Sequence, residues 1–202
     1  MPHNPLPARL SSLAESIVNS FEQTDYQYVE NIDAEAGIYD CDCNSFVGYI
    51  LEQEAPIHYG LIPKEADQDR RRASEYYDFC ISLSSTSGSG WHRIYLLEAA
   101  RPGDIVAWRF AEIELGHDTG HVMFVAEMPI VDDAGIFSVR VYDSADQAHF
   151  DDTRGPGDTG VGSGVINFVV DSAGEPTAFL FAPGELFTTL PIAIARAEPL
   201  SS

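Results

Sequence analysis

The sequence predicts an α+β fold, with N-terminal helices packed on a mostly antiparallel sheet. Three observations predict it. Leu10, Leu13, Ile17 and Phe21 recur at spacings of three and four, which makes one apolar stripe on a helix over residues 8–21. Beyond residue 100 the apolar period shortens to two, as in DIVAWRF and HVMFVAEM. The later strands follow one another at hairpin spacing with no helical segment between them, an order that excludes a βαβ arrangement.

Residues 22–42 are polar, contain Tyr26, Tyr28 and Tyr39, and read as an extended approach loop. A second helix starts at Cys43 or Asn44, carries Phe46, Val47, Ile50 and Leu51 on one face, and ends at Pro56. A third helix is expected over residues 64–79, with Ala66, Ala73, Tyr76, Tyr77 and Phe79 packing. On it, Arg70, Arg71 and Arg72 among acidic neighbours form a balanced charged face. Residues 84–90 are a Ser/Gly loop. Strands are expected at 104–110, opened by the Arg101-Pro102-Gly103 turn, at 121–128, and at 137–142 with Asp143 at the end. Two more cover 165–170 and 177–181. The glycine-rich stretch 155–164 lacks the Lys-Ser/Thr of a phosphate loop and reads as a mobile rim. The tail beyond Arg196 is expected to fray. No repeat or linker divides residues 1–202, so one domain is expected.

Eleven Lys and Arg face 32 Asp and Glu, a formal charge of -21. Such a surface repels nucleic acid and anionic membranes and tolerates neutral or cationic partners. No segment reaches the roughly 20 apolar residues of a membrane span. The N-terminus lacks a signal-peptide pattern, which points to the cytoplasm or to a non-classical export route. Three cysteines are too few and too odd in number for a disulfide scaffold. Cys41 and Cys43 stand too close for a structural zinc site with His117, and neither metal nor cofactor is expected.

Cys43 lies where a polar loop meets an apolar-faced helix. Unpaired N–H groups at a helix start favour a thiolate and can receive an oxyanion. Cys41, between Asp40 and Asp42, is the weaker nucleophile because adjacent negative charge opposes ionisation. His121 heads an apolar strand, which gives its ring a fixed direction. Asp143 ends the next strand, and antiparallel pairing brings the two together. The expectation is a Cys43–His121–Asp143 triad for amide hydrolysis. The polar group His149, Asp151, Asp152 and Arg154 reads as a solvated ion-pair loop, with His149 or Arg154 as substrate contacts in the alternative. His92 beside Trp91 is a weaker candidate of that kind.

Three motifs resemble the NlpC/P60 family of papain-like cysteine peptidases: Asp42-Cys43-Asn44-Ser45-Phe46-Val47, Pro102-Gly103-Asp104-Ile105-Val106 and His121-Val122-Met123-Phe124. The resemblance covers about residues 26–145. It implies a papain-like fold and a cysteine peptidase or amidase acting on peptide or amide substrates such as bacterial peptidoglycan fragments. It also implies a tyrosine near the oxyanion, which Tyr28 matches by distance. Asn44-Ser45 for Ser-Gly, Met123 for glycine and Asp143 for the more frequent His, Asn or Gln depart from the family pattern. Substrate or oxyanion candidates are therefore Tyr28, Asp42, Asn44, Trp91, His149 and Arg154. Two alternatives stand beside this reading: an amidase or acyltransferase on a small or lipid-derived amide, and a non-catalytic binding domain of the same fold.

Overall fold

The structure is a computed structural model that describes residues 5–66, 68–86, 90–111 and 118–200. Helix α1 (Leu6–Ser20) has a proline in its first turn and buries Leu6, Leu10, Ala14 and Ile17, a stripe of spacing four, four and three. Helix α2 (Cys43–Glu54) is capped by Asp42, whose carboxylate accepts the Ser45 N–H at 2.9 Å. Its inner face is Phe46, Val47, Ile50 and Leu51. The short α3 (Pro56–Leu61) follows, and then α4 (Ala73–Ser82).

The helix expected over 64–79 begins only at Ala73. Residues 64–72 are held as a strap instead, because each arginine of the run finds a partner off the segment or along it. The Arg70 guanidinium bonds Asp42, Ser45 and the Tyr28 carbonyl. Arg71 donates to the Ile62 carbonyl at 2.7 Å and stacks over the Tyr59 ring. Arg72 pairs with Glu65. Glu75 accepts the Arg72 N–H at 2.7 Å and so starts α4 there. Asp67 lies outside the described residues.

The approach segment contains a small sheet: β1 (Gln23–Asp25), β2 (Asn31–Asp33) and β3 (Ile38–Asp40), with β1 parallel to the central β3 and β2 antiparallel to it. The main sheet is antiparallel throughout its described pairings. Its strands are β4 (Trp91–Ile94), β5 (Ile105–Arg109), β6 (Gly120–Val125), β7 (Ile130–Val131), β8 (Phe137–Ala145), β9 (Gly160–Val170), β10 (Pro176–Leu180), β11 (Thr188–Thr189) and β12 (Ile192–Ala197). Their order is β11-β10-β9-β8-β6-β5-β12-β4, with β7 against β8. Two strands were not expected. Trp91–Ile94 follows the Ser/Gly loop as a strand, and Ile192–Ala197 is an inner strand between β5 and β4. The glycine-rich stretch also differs: from Gly160 onward it is buried strand.

Strict alternation gives the sheet two apolar faces. Ile105, Ala107, Val122, Phe124, Ala193 and Ala195 join the helices in one core. Val106, Trp108, Met123, Val125, Val139, Val141 and Ile194 form the other, away from the helices. The Pro102-Gly103 turn is fastened below this sheet. Gly103 has φ +88°, and a Cβ there would lie 1.9 Å from the Pro7 carbonyl oxygen, so glycine is required. Asp104, fully buried, accepts two hydrogen bonds from Arg196 at 2.7 and 2.8 Å and the Arg101 N–H at 2.8 Å. Burial raises its pKa, and Arg196 opposes that rise.

Arg196→Ala leaves a buried carboxylate without its cation. Because Arg196 is partly solvated, the expected loss is near the low end for a broken buried pair, about 3 kcal/mol, read from the midpoint of urea unfolding. An unchanged midpoint would remove Arg196 from the structural account.

Candidate functional site: a buried histidine–aspartate cluster beside an aromatic cavity

Alternation along β6 turns Val122 and Phe124 toward the helices, and His121, Met123 and Val125 to the opposite face. Along β8 the same rule sets Asp143 on the face of Val139 and Val141. β6 and β8 pair antiparallel at Phe124–Tyr142 and Val125–Val141, which carries the start of β6 to the end of β8. His121 Nε2 lies 2.6 Å from Asp143 Oδ2.

Asp143 is the hub of a larger group. Its Oδ2 also receives His149 Nε2 at 2.8 Å, and its Oδ1 receives the Arg154 guanidinium at 2.9 Å. Burial alone would raise its pKa. The charges of His149 and Arg154, with the hydrogen bonds from His121 and His149, outweigh burial and hold the carboxyl well below its ordinary range. Asp152 completes the group: it accepts the Arg154 Nε at 2.9 Å and the His149 N–H at 2.7 Å. The segment read as a solvated loop is therefore a buried one at His149, Asp152 and Arg154, whereas Asp151 is exposed at a left-handed turn, φ 45°.

Hydrogen-bond chemistry sets the protons. His149 Nδ1 lies 3.1 Å from the Phe181 carbonyl oxygen and Nε2 faces an ionised carboxylate; neither partner can donate, so each contact takes a ring N–H. A doubly protonated His149 ring satisfies both contacts, and a neutral ring satisfies one. In the doubly protonated form it balances, with Arg154, the charges of Asp143 and Asp152, two of each sign. His121 donates from Nε2 to Asp143, which leaves the lone pair on Nδ1, and that atom has no hydrogen-bond partner among the described residues.

Glycines in β9 seat this group. A Cβ at Gly162 would come within 2.6 Å of Arg154 Nε, and one at Gly164 within 2.3 Å of Asp152 Oδ2. The two glycines are two residues apart on a strand, so they clear a track on one face, where the loop 149–154 lies.

His121 is the member of the cluster that lines an aromatic cavity. That cavity, of about 310 Å³, is lined by the rings of Tyr26, Tyr28, Trp108, Phe110, Phe179 and Phe181 and by Asp118, Asp146 and Glu185. Trp108 stands opposite His121 in the β5–β6 register and stacks on it at 5.3 Å. Phe179 stacks on Trp108 at 4.0 Å, and Phe181 meets both histidine rings edge-on. A larger cavity of about 580 Å³ runs along β1 and Thr153–Arg154. It has no imidazole, so the smaller one is the better candidate for chemistry.

The cysteine reading is corrected here. The buried polar cluster is His121–Asp143–His149, and Cys43 is not part of it. Cys43 belongs to the core between helices and sheet, whereas His121 and Asp143 project from the other face. Its thiol bonds Asn44 Oδ1 at 3.6 Å and meets the Val122 N–H; it makes no hydrogen bond to His121 among the described residues. Burial, followed by the negative charge of Asp42, pushes its pKa well up, the reverse of an activated thiolate. The physical reason lies in the cap. Asp42 caps α2 by accepting the Ser45 N–H, and this sets its negative charge beside the Cys43 thiol, where it opposes ionisation. Cys41 and Cys80 are buried as well, and burial pushes both up to about 12. A cysteine peptidase or amidase working through a Cys-His-Asp triad is therefore not supported.

The remaining candidates separate. Tyr28 lines the cavity, 57% exposed, edge-on to Tyr26 at 5.8 Å. Asp42 and Asn44 serve the α2 cap, with Asn44 donating to Asp42 at 3.2 Å. Trp91 is buried among Phe79 and His58, far along the sheet order from β6, and donates to the His58 carbonyl. His92 pairs with Glu198. His117 lies outside the described residues. Sequence reading missed Tyr26, Trp108, Asp118, Phe179 and Phe181. Trp108 was accessible to it, being the apolar residue of β5 in phase with the face that His121 occupies.

His121, Asp143 and His149 bring one ligand atom each within 4.8 Å of one another, which could hold a metal ion. The fit is poor. Both His149 nitrogens face hydrogen-bond acceptors, and a dication would sit against Arg154 on the same carboxylate.

Two outcomes follow from this packing. Gly164→Ala overpacks the loop seat and is expected to cost about 2 kcal/mol and to disturb the His149 and Arg154 side-chain resonances, read by urea unfolding and NMR. Asp143 has a depressed pKa, so its contribution is present above the unfolded value of about 3.9 and is lost as pH falls through its lower folded value. Acid unfolding should steepen below about pH 4, and Asp143→Asn should remove that steepening while costing about 3 kcal/mol at pH 7.

Against known proteins, no family model, no curated protein and no solved structure matches this chain.

Proposed function

We propose that this protein is an acid–base catalyst acting on a small molecule held in the aromatic cavity, with His121 as the group that exchanges the proton. One observation carries the reading: within a buried ionic cluster, His121 reaches a ligand-sized cavity and its Nδ1 has no hydrogen-bond partner among the described residues. Asp143 fixes the ring and tautomer of His121 and favours the imidazolium it becomes on taking a proton. The attacking group in a hydrolytic reaction is water, which His121 deprotonates. A cavity of about 310 Å³ is at the small end of ligand sites, so the substrate is small.

The fold reading we add is an NlpC/P60-type architecture without its thiol chemistry. It is supported by α2 packed on β6 and β8, and by the Pro102-Gly103-Asp104 opening of β5. A metal-centred reading draws on the same three side chains, and the geometry of His149 argues against it.

Ring NMR on ¹⁵N-histidine-labelled protein tests the proposal. At neutral pH His149 should carry protons on both nitrogens, and His121 should be the Nε2–H tautomer. Fragments that enter the cavity should move the His121 Nδ1 signal and take up or release protons, and His121→Gln should abolish the proton linkage. A proton on Nδ1 of His121 in place of Nε2 would overturn the acid–base assignment. Stoichiometric Zn²⁺ that shifts both rings together would replace it with the metal reading.

A further inference from the structure

The same cavity has a one-sided charge. Its lining includes Asp118, Asp146 and Glu185 and, among the described residues, no lysine or arginine. Asp118 is tied at one oxygen to the Gly120 N–H, 3.2 Å away, and Glu185 is held by Gln147 at 2.8 Å. The Asp118 and Asp146 charges both reach the Tyr28 hydroxyl, and Asp118 reaches Tyr26. The carboxylates therefore border the aromatic wall at its exposed rim. Desolvation also pushes the Asp118 carboxyl above its ordinary range, with the Gly120 N–H and His121 opposing it. A cation entering the cavity would relieve that penalty.

The wall itself suits a cation. Trp108, Phe179 and Phe181 present π-faces and edges around His121, and Tyr26 and Tyr28 stand across the lining. Ring faces attract an organic ammonium, most strongly where water is excluded, and carboxylates at the border add long-range attraction. An anion would meet three carboxylates and a chain of charge -21. A neutral ligand would gain nothing from the carboxylates' charge.

We propose that the ligand of this cavity is a small organic ammonium, with its cationic head toward Asp118 and Asp146 and its apolar body on Trp108 and Phe181. The inference rests on the proposed role of this cavity as a ligand site; it adds the ligand's charge class and does not depend on proton transfer by His121. A protonated amine beside the Nδ1 lone pair of His121 is also a group that could pass a proton to it.

Isothermal titration and NMR with three benzyl probes test this: benzyltrimethylammonium, its neutral isostere neopentylbenzene in cosolvent, and the anion phenylacetate. The ammonium should move the Trp108 indole and His121 ring signals and bind about tenfold tighter than the neutral probe. Its affinity should fall several-fold between about 0.05 and 0.5 M salt. Asp118→Asn with Asp146→Asn should weaken it about tenfold while unfolding and the His121 tautomer stay as in the parent, since both residues are exposed. His121→Gln should keep the ammonium preference, which separates ligand class from catalysis. Equal binding of the three probes, tighter binding of phenylacetate, or ammonium shifts confined to residues outside the cavity would overturn the proposal.

Discussion

One buried carboxylate organises the region of the molecule where chemistry is plausible. Asp143 has no solvent to stabilise its charge, so every one of its oxygens must be met by a donor. It is met by three side chains from two segments: the first residues of β6 and the loop 149–154. The requirement works in both directions. The loop cannot leave without stranding Asp143, and His121 cannot rotate without breaking its shortest polar contact. Of the side chains around Asp143, His121 is the one that also lines the aromatic cavity.

The two faces of the sheet divide the labour. The helix face is almost wholly apolar: Cys43, Phe46 and Val47 of α2 lie on Val122, Phe124 and Ala107. The other face carries a smaller core of aromatic and branched residues, and it is there that the polar cluster is embedded. The Asp42–Arg70 strap links the two indirectly. Arg70 binds the α2 cap and the Tyr28 carbonyl, so the segment that forms one wall of the cavity is tied to the N-terminus of α2.

Much of the architecture was legible in the sequence because it rests on periodicity. The stripe of α1, the start of α2 at Cys43 and the strands β5, β6, β8 and β10 all follow from spacings of three and four or of two. The adjacency of His121 and Asp143 was also readable from antiparallel order. What escaped was the phase relative to the third dimension. HVMFVAEM shows that His121 and Val122 face opposite ways, yet not which face the helix covers, and on that choice the role of Cys43 turned. β4 and β12 escaped because they pair over about a hundred residues of separation, with no hairpin to announce them. The loop 149–154 looked solvated because its residues are charged; their burial depends on Asp143 and on the missing side chains of Gly162 and Gly164, neither of which a local window contains.

The glycine track in β9 has a consequence for how the molecule assembles. The seat for the loop does not exist until β9 has paired with β8 along its length, from Phe137–Phe168 to Ala145–Gly160. The chain must therefore pair β9 with β8 before Arg154 can find Asp143 in its seat. A region built this way opens only when the sheet itself does. Its amides should exchange with the slowest class in the protein, and the rigidity of the proton-bearing ring is inherited from the global fold rather than from local restraints.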